Sequence, residues 1–159
     1  MLKYSATVSI FITFAVYLLV LAPMMPGGIF AAYRQDHYAS FCLHVLTPAF
    51  MIADFFLNDT EFRWEKKHLL YAVLPPVCYL MFILVLGKLG VRWGRGNMMA
   101  PYLFLNYGAP AGWFGFMPET ASYTTLGIGV FYCIIVLLFL VLLIGWLFLA
   151  LAKRTARCI

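Results

Sequence analysis

Charged residues are scarce in this chain. Only 11% of its 159 residues are Asp, Glu, Lys or Arg, whereas 65% are hydrophobic and 18% aromatic. An ordinary soluble domain carries about 25% charged residues, so the composition excludes that class. The net charge of +5 comes from short basic clusters between apolar runs and at the C-terminus. This placement is typical of membrane topology signals, and we expect no nucleic-acid partner.

The chain also lacks the usual motifs of metal and disulfide sites. The three histidines form no HxxxH or HExxH pair, and no CxxC occurs. We therefore expect no metal and no cofactor. We expect the cysteines inside apolar runs to be inert packing residues. The four cysteines are Cys42, Cys78, Cys133 and Cys158.

What the chain does contain is a set of long apolar runs. In lipid the backbone must satisfy its own hydrogen bonds, and about 20 apolar helical residues cross the hydrocarbon core. The sequence therefore predicts an all-α polytopic membrane protein, a single domain over 1–159 with four transmembrane helices. The predicted spans are about 5–25, 38–57, 69–86 and 125–152.

Helical periodicity fails between the third and fourth spans. Eight of the twelve glycines lie between Gly87 and Gly127, together with many aromatic residues. No spanning helix is predicted there. We expect this Gly- and aromatic-rich loop to pack over the mouth of the bundle or to dip into the membrane as interfacial or re-entrant segments.

Basic residues predict the orientation of the four spans. With both termini in the cytoplasm, seven Lys and Arg residues lie inside and four outside. The positive-inside rule therefore favours a protein of the cell membrane with both termini cytoplasmic.

Two ionisable residues lie within the second span. An ionisable group in a membrane helix costs about 2.5 to 3.5 kcal/mol at the bilayer centre, so His44 and Asp54 stand out. At 100° per residue, His44, Thr47 and Asp54 share one face of the helix. One interpretation is helix association, with Asp54 near enough to the cytoplasmic boundary to reach water. The other is a buried site in which His44 is a general base or proton relay.

Two segments resemble a known family. His44-Val-Leu-Thr-Pro48, continuing to Asp54, resembles the His-x-x-x-Pro signature of the androgen-induced and androgen-dependent TFPI-regulating membrane proteins, and of their bacterial Pr-six-Pr type relatives. Residues 101–106 resemble the Tyr-Pro-Phe-Leu motif of that family, with Leu103 where proline is usual.

The resemblance implies intramembrane hydrolysis of fatty acid esters of hydroxy fatty acids. His44 then matches the family's histidine, and we expect Asp54, Tyr102 and Asn106 to be binding residues. The family's threonine lies in an earlier span that has no counterpart here, because the resemblance covers only the last four of six spans. The candidate hydroxyls are Ser40 and Thr47 on the same helix and Ser5, Thr7, Ser9 and Thr13 on the first. We expect one of three explanations for the two missing spans. The gene start has been assigned too late, the chain is a shortened member of the family, or a partner supplies the missing half.

Three functions follow from these observations. The first is a lipid-binding or accessory role among membrane lipids, with a homo-oligomer or a membrane protein as partner. The second is a lipid ester hydrolase with His44 as base, which needs a hydroxyl within about 3.2 Å of the imidazole. The third is a small transporter subunit. The sequence favours the first.

Overall fold

The computed structural model describes residues 2–24, 38–58, 65–94 and 96–155. These residues form helices joined by turns, and within them strand pairing is limited to isolated bridges. The helices are α1 (Leu2–Val16), a π-helical turn (Tyr17–Leu21), α2 (Tyr38–Phe41), a second π-helical turn (Cys42–Leu46), α3 (Thr47–Asn58), α4 (His68–Lys88) and α5 (Val130–Thr155).

Three of the described segments are long and apolar enough to cross a membrane. They are Leu2–Leu21, His68–Lys88 and Val130–Lys153, with mean hydropathies of 2.0, 2.4 and 3.2. Cys42–Asn58 is apolar but shorter. It continues from α2 without a break, so the described helical residues run from Tyr38 to Asn58. The protein is an all-α polytopic membrane protein, and the predicted fold class is confirmed.

The last helix begins later than the hydropathy pattern predicts. α5 starts at Val130, whereas the predicted span starts at about Thr125. Gly127 has a φ of 71°, in the left-handed region. The backbone there pairs with the loop, since Ser122 bridges Thr125 and Phe116 bridges Ile128. These residues are apolar enough to extend a span but belong to the loop.

The chain divides into two compact units, and the expectation of a single domain stays a prediction. The first unit is Met1–Pro75 with Leu140–Ile159. Its core contains a cluster of buried apolar side chains from α1, α3, α4 and α5. The members are Tyr4, Val8, Ile12, Phe55, Ala72, Val141, Ile144, Phe148 and Leu149.

Gly145 allows a close contact between α1 and α5 in this core. The hydroxyl of Tyr4 donates a hydrogen bond to the carbonyl of Gly145 at 3.0 Å. A Cβ on Gly145 would lie 2.8 Å from that hydroxyl oxygen. Small residues commonly allow such close packing between membrane helices. The contact holds α1 against the C-terminal half of α5.

The second unit, Pro76–Phe139, contains the Gly- and aromatic-rich loop. As predicted, no long helix forms between Lys88 and Val130 in the residues that the structure describes. The loop has two 3₁₀ turns, Leu103–Leu105 and Pro118–Thr120. The side chains of the first turn are buried.

Candidate functional site

His44 lies in the middle of a π-helical turn, and Pro48 gives the physical reason for that turn. A proline lacks a backbone N–H, and its ring clashes with the carbonyl four residues earlier, here that of His44. The helix widens instead. The N–H of Thr47 donates to the carbonyl of Cys42, five residues back, and the Thr47 hydroxyl donates to the same oxygen at 2.9 Å. Such turns are frequent at functional sites.

The first helix repeats this arrangement. Pro23 follows Leu19 by four residues, and Leu19 is the centre of the π-helical turn Tyr17–Leu21. The N–H of Ala22 donates to the carbonyl of Tyr17 at 2.8 Å. In both turns, therefore, a proline stands four residues after the central position. The spacing alone does not predict a π-helical turn, because α4 contains Pro75 and Pro76 and is α-helical throughout.

The two π-helical turns bring Tyr17 and His44 into contact. Their rings stack with centroids 3.9 Å apart and an interplanar angle of 8°. Tyr17 is only 4% exposed, and His44 is half-buried. The sequence predicted His44 as a site residue but did not identify Tyr17, because the contact depends on how two helices pack. We call these two residues the Tyr17–His44 pair.

The imidazole of His44 has an unused nitrogen. Its Nδ1 is buried and forms no hydrogen bond within the described part of the chain. No hydroxyl in that part pairs with the imidazole, and the Thr47 hydroxyl is engaged with Cys42. The side chain of Ser40, one turn before His44, lies outside the described residues, as does His37.

Most hydroxyls of α1 are likewise bonded to backbone carbonyls. Ser5 donates to Tyr71, Thr7 to Lys3 and Thr13 to Ser9. Ser9 differs, because its oxygen is buried and has no partner among the residues that the structure describes. Hydroxyls in membrane helices commonly make such bonds, so these contacts are structural.

Asp54 forms an ion pair at the opposite end of α3. Its Oδ2 lies 2.8 Å from Nζ of Lys3, and its Oδ1 accepts a hydrogen bond from the Asn58 amide at 2.6 Å. The side chains of Lys3 and Asp54 are 32% and 47% exposed. The pair joins the start of α1 to the end of α3. A ligand-binding role for Asp54 stays a prediction, and the residue already has a structural one.

The two predicted binding residues of the loop are also engaged. Asn106 is buried; its Oδ1 accepts from the Met99 N–H at 3.1 Å, and its Nδ2 donates to the Thr124 carbonyl at 2.9 Å. Tyr102 stacks on Phe104 with centroids 5.3 Å apart and an angle of 3°. Both contribute to the internal structure of the loop, and their binding role stays a prediction.

The described residues hold no group of three or more His, Cys, Asp or Glu side chains that could bind a metal. Comparisons with protein-family models, with curated proteins and with solved structures gave no match. The family resemblance of the His44 to Asp54 segment therefore stays a prediction. The Tyr17–His44 pair is the arrangement from which a function can be argued.

Proposed function

We propose that this chain is a lipid-binding accessory protein of the membrane, and that the Tyr17–His44 pair holds the polar group of a fatty-acyl lipid. The supporting observation is the buried Nδ1 of His44, which has no hydrogen bond within the described residues. Leaving a buried polar atom unsatisfied costs about 1–3 kcal/mol. A ligand that completes the hydrogen bond removes that cost.

The chemistry of the pair favours a carbonyl or carboxyl group as the ligand. A neutral imidazole carries one donor nitrogen and one acceptor nitrogen. The donor can bond to a carbonyl oxygen, and the acceptor can bond to the O–H of a protonated carboxyl group. Tyr17 covers one face of the ring, which leaves the ring edge for the ligand. Leu43 and Leu46 beside His44 are 62% and 38% exposed, and they offer apolar surface to an acyl chain.

Photolabelling with a diazirine-bearing fatty acid in nanodiscs tests the proposal. The label should attach to peptides containing residues 17–24 or 42–48. His44→Phe keeps a ring to stack on Tyr17 but removes both nitrogens. Losing one hydrogen bond of about 1 kcal/mol should lower the labelling about fivefold. Tyr71→Phe, in α4, also removes a polar group and keeps a ring; Tyr71 is 40% exposed, and this matched control should label like the parent chain. Equal labelling of the parent and His44→Phe would overturn the proposal.

The alternative is a lipid ester hydrolase with His44 as general base. The same nitrogen favours this function, because the nitrogen that accepts a proton must not already be bonded to another protein group. It also requires a hydroxyl nucleophile, and Thr47 already donates to Cys42. The test is hydrolysis of a panel of fatty acid esters by purified protein in nanodiscs, with His44→Ala as the paired control. Turnover that disappears in the variant would establish the hydrolase in place of the binding role.

We further infer that the protein resides in the cell membrane with both termini in the cytoplasm. Support comes from the basic residues, of which seven fall on the side of the termini and four on the other. Fusions of green fluorescent protein and alkaline phosphatase to the C-terminus in a bacterial host test the orientation. Fluorescence without phosphatase activity is expected, and the reverse result would contradict the orientation.

A further inference from the structure

Exposed apolar side chains are concentrated in one short part of the loop, Trp113–Met117, which we call the aromatic tip. Phe114 and Phe116 are 66% and 71% exposed, and Trp113 and Met117 are also exposed. Glu119 is the sole charged residue between Gly96 and Ala152. Exposed apolar patches of this kind mark interaction surfaces.

The backbone of the aromatic tip is hydrogen-bonded to the start of α5. The carbonyl of Gly115 accepts from the Gly129 N–H at 2.8 Å, and the carbonyl of Trp113 accepts from the Phe131 N–H at 3.0 Å. Just before the tip, the carbonyl of Gly112 accepts from the Val130 N–H at 3.1 Å. The first N–H groups of a helix have no partner within the helix, so the loop supplies the partners that α5 needs.

Glycine at position 129 makes this attachment possible. A Cβ there would lie 2.6 Å from the carbonyl oxygen of Trp113. The N–H of Met117 donates to the carbonyl of Gly127 at 2.7 Å, and the N–H of Gly115 donates to Ala111 at 2.7 Å. Much of the polar backbone of the tip is therefore satisfied. These bonds lower the cost of placing irregular backbone at the membrane interface, where water can pair with the remaining backbone groups.

The aromatic tip continues the apolar surface of a membrane helix. α5 is apolar enough to span a membrane, and its first turn carries the exposed residues Phe131 and Tyr132. The centroids of the Phe114 and Phe131 rings lie 5.2 Å apart, so the tip is continuous with that surface. Aromatic residues at the end of a span are typical of the membrane–water interface.

We propose that the aromatic tip inserts into the headgroup and upper acyl region of the bilayer beside the N-terminal end of α5. The occupant of this surface is thus lipid. The tip adds an interfacial contact to the spanning helices, at the depth of about 5–10 Å that interfacial segments reach. This proposal does not depend on the Tyr17–His44 pair.

Tryptophan fluorescence in vesicles of brominated phosphatidylcholine tests the insertion. The difference in emission between the parent chain and Trp113→Phe isolates Trp113. Phenylalanine preserves a ring that stacks on Tyr107, whose centroid lies 5.4 Å from that of Trp113. We expect lipid brominated near the headgroup end of its acyl chain to quench this emission more than lipid brominated near the methyl end. Acrylamide, a quencher dissolved in water, should have little effect.

Trp93→Phe provides the matched control. Trp93 belongs to the same unit but lies in a turn beside Arg92, and it bridges Met98. Its emission should be quenched less by brominated lipid than that of Trp113. Quenching of Trp113 by acrylamide but not by bromine would overturn the proposal, as would bromine quenching that is equally weak for both residues. Protection from both quenchers that increases with the protein-to-lipid ratio would also overturn it, and would indicate a second copy as the occupant.

Discussion

Two histidines lie in apolar surroundings of the first unit, and their hydrogen bonds differ. His68, at the start of α4, is 2% exposed, and its Nδ1 accepts a hydrogen bond from the Glu65 N–H at 3.1 Å. His44, on its π-helical turn, is more exposed, yet its buried Nδ1 has no such bond within the described residues. Burial alone would single out His68. The hydrogen bonds of Nδ1 single out His44 instead, because only a nitrogen without a hydrogen bond is available to a ligand.

The largest expected effect is at His68. His68→Ala leaves the Glu65 N–H without its acceptor and opens space beside Tyr4, whose ring centroid lies 6.1 Å away. We expect a loss of about 2 kcal/mol in the free energy of unfolding. Unfolding in detergent micelles measures it. His68→Asn should recover part of the loss, since the Asn oxygen occupies the place of Nδ1. A loss below that of His44→Ala would contradict the structural role of His68.

His44→Phe should change the free energy of unfolding in the opposite direction. Phenylalanine retains the stack on Tyr17 and removes the unpaired nitrogen, so the free energy of unfolding should rise by up to about 1 kcal/mol. The same unfolding experiment measures this change. A clear destabilisation would indicate that His44 has a structural partner outside the described residues. The contrast between the two histidines would then disappear.

Pro48→Ala tests the origin of the π-helical turn. Alanine supplies the N–H that Pro48 lacks, so the carbonyl of His44 can form the ordinary α-helical bond. We expect the stack between His44 and Tyr17 to weaken, and fatty acid photolabelling to fall about fivefold, as expected for the loss of one hydrogen bond. Pro76→Ala, in α4, is the control proline and should not alter labelling. Unchanged labelling of Pro48→Ala would show that the proline does not position His44.

The smallest effect is expected at the Lys3–Asp54 ion pair. Both side chains are partly exposed, so water screens the pair, and its coupling should lie below about 1 kcal/mol. A double-mutant cycle with Lys3→Gln and Asp54→Asn measures the coupling at low and high salt. A coupling energy that is large and independent of salt would contradict this expectation and would indicate that water does not reach Asp54.

Hydropathy was sufficient to predict the class of fold, because lipid selects long apolar helices. It missed the start of α5, because residues between Thr125 and Gly129 are apolar but pair with the loop. The sequence predicts His44 as a site residue from its cost in a membrane helix, and that role stays a prediction. It could not identify Tyr17 or Lys3 as contacts, because those distances depend on packing between helices far apart in the chain.

The π-helical turns also change the rotational phase of the helices that contain them. Each π turn holds one residue more than an α turn, so the residues after it are about 100° out of phase with an uninterrupted α-helix. Helical wheels drawn through Cys42–Leu46 or Tyr17–Leu21 therefore assign faces incorrectly on one side of the turn. Residues before and after each turn belong on separate wheels, and a scan of lipid accessibility along the second helical segment should show this jump in phase at His44.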